Sequence, residues 1–236
     1  MRLSPGESRH LVTVNRARRG DPVTAFDGGG TEFDCILSRA DGGGACLEIR
    51  DRRTIPPLPY SLTLAQALPK GKTFDTIVRQ ATEIGAARIL PLITEQTEAR
   101  PPARRLGQKS ERWQSAAIEA AKQCGNPFLP EIGAVCNLRE FLTDPPPADL
   151  KLLAGLVPET RPLRDCFPSE VEGSPGRPFR VLWLVGPEGD FTAAEVESAQ
   201  VCGFHPVSLG PYVLRVDTAA LCALSITVCE LRARTG

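Results

Sequence analysis

No apolar run in these 236 residues approaches the roughly 20 that a membrane-spanning helix needs, which excludes a membrane span as the expectation. Met1-Arg2-Leu3-Ser4-Pro5 does not begin a secretory signal either, so the expected location is the cytoplasm. The eight cysteines form no Cys-x-x-Cys pair and find no histidine at zinc spacing. No metal site is therefore expected, and the thiols read as reduced and structural, small hydrophobes in apolar stretches. Formal net charge is zero, so bulk electrostatics does not mark the chain as a nucleic-acid binder. There is no internal repeat, no low-complexity tract, no Gly-x-Gly-x-x-Gly fingerprint and no phosphate-binding P-loop.

The chain does have an ordinary globular composition, with 42% hydrophobic and 24% charged residues, and enough length for one large domain or two modest ones. Residues 1–57 read as a small β domain. His10–Val14, Pro22–Phe26, Thr31–Leu37 and Ala45–Ile49 are short strand-like runs, and Asp27–Gly30 and Asp41–Gly44 are hairpin-turn signals, so a barrel-like sheet of four or more strands is expected. Arg2, Arg9, Arg16, Arg18 and Arg19 crowd the start, either to meet phosphate or as a solvated edge. The prolines of Thr54–Tyr60 mark a linker, and a second domain follows over 58–236.

That second domain alternates strands and helices, which predicts a parallel sheet. Ser61–Leu68, Ala87–Ile93, Leu150–Leu156 and the run ending Val181-Leu182-Trp183-Leu184-Val185 read as buried strands. Phe74, Ile77, Val78, Ala81 and Ile84 give a helix that Gly85 ends, 109–124 and Leu138–Leu142 give two more, and 170–178 is a polar Gly/Pro loop.

Two glycine loops close the chain. Gly186-Pro187-Glu188-Gly189-Asp190-Phe191 leads into the capping-box spacing of Thr192 and Glu195, and a helix that ends near Gly203. The short strand Pro206–Leu209 then leads into Gly210-Pro211-Tyr212-Val213-Leu214-Arg215 and a final helix capped by Asp217 or Thr218. Glycine lets a ligand approach the backbone, and helix starts present unpaired N–H groups, so two such loops in succession indicate a ligand site at the carboxyl ends of parallel strands.

The two loops, Leu184 to Thr192 and Leu209 to Ala220, resemble the signature loops of the RsmE-type RNA methyltransferases of the SPOUT superfamily. The resemblance implies a small N-terminal PUA-like β-barrel that binds RNA, followed by a SPOUT α/β domain with a C-terminal trefoil knot. It implies methylation of uridine N3 in 16S ribosomal RNA of the small subunit, with S-adenosylmethionine as donor, by a homodimer. The implied donor contacts are Leu184, Gly186, Leu209, Gly210, Leu214 and Ala219, and the implied RNA contacts are Arg9, Arg16, Arg18 and Lys72. Uridine N3 must lose a proton before it attacks, so a carboxylate and a cation are required. Arg215 is the cation; Glu188 and Asp217 are the carboxylates, although Asp217 could equally cap its helix and Glu188 hold its loop. Asp190 replaces a common Gly, Tyr212, Gln96 and Asn126 replace common Arg residues, and Asp217 replaces Glu; an Asp190 turned outward would repel RNA phosphate. Other readings are a methyltransferase for another RNA position, a non-catalytic RNA-binding homologue, and a dinucleotide-dependent oxidoreductase that lacks its fingerprint.

Overall fold

The computed structural model describes residues 1–41, 44–98, 100, 102–157, 159–168 and 177–235. Within it the chain divides into two compact units, Met1–Pro57 and Leu58–Gly236.

The first unit opens with a one-turn helix, α1 (Pro5–Arg9), that runs into a π-helical turn over His10–Val14. Three strands follow in the order β1 (Pro22–Phe26), β2 (Thr31–Asp41) and β3 (Gly44–Thr54), all antiparallel. His10–Val14 is therefore not a strand, despite its β-branched residues. Ser4 caps α1 by accepting from the Glu7 N–H at 3.2 Å, and Pro5 stands where a helix tolerates proline. The helix so started carries Leu11 and Val12 onto the small core of Cys35, Leu37, Ala45 and Leu47. The sheet has three strands among the described residues instead of four or more. The Asp27 turn forms through its carboxylate, which accepts from Gly29 N–H at 2.8 Å and Thr31 N–H at 3.0 Å. Those backbone bonds, Thr31's first, hold Asp27 below the usual carboxylate range. Of the turn expected over Asp41–Gly44, residues 42 and 43 lie outside the described residues.

In the second unit β4 (Tyr60–Ala67), α2 (Thr73–Ile84), β5 (Arg88–Ile93), α3 (Ala103–Cys124), the two-residue β6 (Glu131–Ile132) and β7 (Cys136–Asn137), α4 (Leu138–Thr143), β8 (Leu150–Ala154), β9 (Arg161–Pro162), α5 (Leu163–Cys166), β10 (Phe179–Val185), α6 (Ala193–Val201), β11 (His205–Ser208) and α7 (Val216–Thr235) follow in turn. The eight described strands form one sheet in the order β6-β5-β4-β10-β8-β11-β9, with β7 also on β5. Every pairing in it is parallel.

The chain's last long strand, β10, thus sits between β4 and β8. Burial on both faces explains its unbroken apolar run. Val181, Trp183 and Val185 face the larger core with Leu62, Leu64 and Trp113, whereas Leu182 and Leu184 face a second core with Leu153, Phe191 and Phe204. On the first face α7 is fixed by the buried Trp183 Nε1–H, which donates to Thr227 Oγ1 at 2.9 Å, and by Leu224 and Leu231, both buried. Helices α2 and α3 pack through the Phe74 and Trp113 rings, 4.5 Å apart, and an ion pair between buried Asp75 and Arg112.

Several boundaries move from their sequence positions. Helix α3 begins at Ala103 instead of 109, because Pro102 fits the position before a first turn. The β8 strand stops at Ala154, short of Leu156. Helix α7 begins at Val216, which places Asp217 and Thr218 inside its first turn and not at the cap. Most of the 170–178 loop lies outside the described residues, which resume at Arg177.

Candidate active site

Parallel strands put all their carboxyl ends on one edge, and there the loops after β8, β10 and β11 enclose a cavity of about 290 Å³. Its lining includes Gly186, Leu209, Gly210, Leu214 and Ala219, together with Glu188 and Arg215. Two residues singled out from the sequence lie elsewhere. Leu184 is fully buried in the second core, because side chains alternate along β10 and Val185 is the one that reaches the cavity. Asp217 is not in the lining; its Oδ1 stands 3.7 Å from Arg215 Nε, is shielded from solvent and has no hydrogen-bond partner among the described residues.

The loop after β10 is held by its own chemistry. The Asp190 N–H donates to Pro187 O at 3.0 Å to close the turn, and Asp190 takes a left-handed φ of 59°. A carboxamide or carboxylate side chain tolerates that region better than a branched one. The Asp190 side chain turns inward, where Oδ2 accepts from the Leu156 N–H at 2.6 Å and so ties the β10 loop to the β8 loop. It does not project outward against a phosphate. Gly186 is close-packed: a Cβ there would stand 3.0 Å from Asp190 Oδ1 and 3.2 Å from Phe191 Cε2.

Glu188 holds a second tie, since its Oε1 accepts from the Lys70 N–H at 2.9 Å in the loop after β4. Lys70 Nζ in turn pairs with Glu98 at 2.8 Å, which raises its pKa first through that hydrogen bond. Arg215 is the outward-reaching charge of the group, with its side chain 83% exposed. The long side chain has room to meet a substrate from outside the cavity.

Beneath these loops lies Gln66, fully buried, which periodicity alone could not single out inside an apolar strand. Its amide nitrogen donates to the carbonyls of Ala67 at 2.9 Å, Val185 at 3.3 Å and Gly186 at 3.2 Å, stapling the ends of β4 and β10. The β8 loop, with Gly155, Leu156 and Val157, was also missed. Its only signal was Ala-Gly at the end of an apolar run, which the alternation read as more strand.

The remaining sequence candidates are exposed. Arg9, Arg16 and Arg18 belong to the first unit, where Arg16 has a φ of 55° and the Arg18 N–H donates to Asp21 at 2.7 Å. Lys72 stands just before α2 in the second unit. Asn126 fixes the chain after α3, where its Nδ2 donates to Thr82 O at 3.2 Å and its Oδ1 accepts from Phe128 N–H at 3.0 Å.

A family model for the RNA methyltransferase domain matches residues 56–228, and one for the RNA methyltransferase PUA domain matches residues 3–50. A Synechocystis protein named ribosomal RNA small subunit methyltransferase E is 34% identical over 94% of this chain and 71% of its own length. The chain belongs to this RNA methyltransferase family. Solved relatives have the same fold along their length. A Legionella pneumophila protein crystallised with the cofactor SAM is 31% identical, with a TM-score of 0.88 over 97% of this chain and 91% of that one. The Neisseria gonorrhoeae family member, bound to S-adenosyl methionine, is 28% identical, with a TM-score of 0.84 over 97% and 91% of the two chains. The N-terminal PUA-like domain and the parallel α/β sheet read from the sequence are thus features this chain shares with its family.

Proposed function

We propose that this protein transfers a methyl group from S-adenosylmethionine to N3 of a uridine in 16S ribosomal RNA. The observation that carries the reading is the cavity at the carboxyl ends of β8, β10 and β11, in a chain of this family. Gly186 and Gly210 offer backbone at close range, and Leu209, Leu214 and Ala219 offer apolar surface to the adenine. The cavity residues would hold the donor mainly through main chain, because the two carboxylates that line it, Glu188 and Asp190, each hold a neighbouring loop.

In the transfer, the N3 lone pair forms a bond to the methyl carbon while the carbon–sulfur bond breaks, leaving a neutral thioether. The N3 proton must go to a base. Glu188 is the one of the two candidate carboxylates that lines the cavity, so we assign it that role. Arg215 faces the charge that spreads to O2 and O4, and Asp217 holds the guanidinium from behind at 3.7 Å. Arg9, Arg16, Arg18 and Lys72 are assigned to RNA phosphate, with Met1–Pro57 acting as the RNA-binding domain.

A trefoil knot is consistent with a strand order that inserts β10 between β4 and β8. A homodimer would cover Tyr212 and Val213, which are 80% and 74% exposed beside the cavity, while the apolar stripe of α7 packs within its own unit. No described helix is long and apolar enough to cross a membrane, and a cytoplasmic location is proposed with the rRNA substrate.

The test is methyl transfer from labelled S-adenosylmethionine to small subunits that lack the modification, with mapping of the labelled nucleoside. Label at N3 of one uridine, lost in Arg215→Ala while donor binding remains, supports the assignment. Label on another atom would redirect it to a different RNA position, and donor binding without transfer would favour a non-catalytic RNA binder.

A further inference from the structure

We propose that Asp190 makes the site prefer the cationic sulfonium donor over the neutral thioether product. The inference rests on the donor reading above. Among the described residues, three charged side chains line the cavity, and two of them, Glu188 and Asp190, are carboxylates against the guanidinium of Arg215. The described lining therefore carries a formal charge of one minus. S-adenosylmethionine has a sulfonium, an ammonium and a carboxylate, so it carries one plus. The product keeps the last two groups and loses the first.

Asp190 is the carboxylate whose position is fixed most tightly. Its left-handed backbone, with φ at 59°, and the 2.6 Å bond from the Leu156 N–H leave it one orientation. That bond uses Oδ2. The other oxygen, Oδ1, sits over Gly186 and Gly155, 3.0 Å and 3.4 Å from where a Cβ on either would stand. Glycine at both positions makes the space for this oxygen at the junction of two cavity loops. Arg215, 83% exposed and drawn toward Asp217, is not held against it. A fixed charge in the wall of a cavity of about 290 Å³ acts on its occupant with less screening by salt than a charge on the open surface. The wall then discriminates by ligand charge, and the effect falls on the sulfur because everything else is common to donor and product.

Asparagine tests this, because it tolerates left-handed φ and keeps an oxygen for the Leu156 N–H while removing the charge. Titration calorimetry with S-adenosylmethionine and with S-adenosylhomocysteine would be run on the wild type, Asp190→Asn and Asp190→Gly. We expect Asp190→Asn to weaken the donor roughly 5- to 20-fold and the product by no more than about twofold, with the thermal midpoint of the free protein nearly unchanged. Asp190→Gly loses the loop tie as well, so both ligands should weaken. A donor-to-product affinity ratio that Asp190→Asn leaves unchanged overturns the inference while the donor reading stands. A wild type that binds neither ligand overturns both.

Discussion

At Gly186 a methyl group would meet Asp190 Oδ1 at 3.0 Å and Phe191 Cε2 at 3.2 Å, and neither neighbour is free to move. Phe191 is buried in the second core, and Asp190 is tied to the β8 loop. Gly186→Ala should therefore shift the loop, weakening donor binding by at least about tenfold and lowering stability by about 1–3 kcal/mol, the usual range for overpacking. Calorimetry and thermal melts would check both. Glu188→Gln makes a cleaner cut, since the amide oxygen can still accept from Lys70 N–H. If Glu188 takes the N3 proton, the transfer rate at saturating donor should fall by about 10²- to 10⁴-fold. A variant with normal turnover would return Glu188 to the loop-holding role. At this scale the sequence was legible where a motif fixed the backbone, as at Gly186 and Gly210, and misleading where a side chain's direction mattered. Leu184 and Val185 are both apolar and adjacent; the pleat sends one into the core and the other to the cavity, and no pattern in an unbroken apolar run distinguishes them.

Among the elements, β10 and α7 are joined by a polar bond inside an apolar core. Thr227→Val would leave the Trp183 N–H unpaired where no water reaches it, at a cost of about 1–3 kcal/mol. The melting temperature should drop by about 3 °C for each kcal/mol. At the start of β8, burial pushes the Asp149 carboxyl up, but hydrogen bonds from the Arg180 main chain and side chain, and the nearby Arg177, hold it below the usual range. A carboxyl lowered in the folded state stabilises above its unfolded value, about 3.9, and that contribution disappears as pH falls through the folded value. Asp149→Asn should accordingly flatten the dependence of the urea midpoint on pH below about pH 4. Strands and helices of the second unit were readable because burial on both faces and helical spacing leave different signatures. His10–Val14 was not, since its β-branched composition says strand while the Ser4 cap and Pro5, just upstream, decide for helix.

For the molecule as a whole, every residue of the cavity lining lies between Ala154 and Ala219, inside the unit Leu58–Gly236. A chain of 58–236 should keep its affinity for the donor and lose methyl transfer to the small subunit, which calorimetry and the labelling assay would separate. All eight cysteines are free, and burial raises the thiols of Cys35, Cys136, Cys166 and Cys222. The family was legible from two loops because their residues serve one backbone geometry. The third wall of the cavity, after β8, carries no comparable signature, and its part in the site emerges only when parallel pairing brings Gly155 beside Gly186.

The strand order also sets a timetable for synthesis. Strand β10 lies in the middle of the sheet, yet it leaves the ribosome after both of its neighbours, β4 and β8. Until residue 185 has emerged, those two strands have bare inner edges with unpaired N–H and C=O groups and no path to their final pairing. The nascent chain carries an open, aggregation-prone β4 edge from Ala67 until Val185 has emerged, and a gap between β4 and β8 from Ala154 onward, while Met1–Pro57, whose strands pair with their immediate successors, is free to fold early.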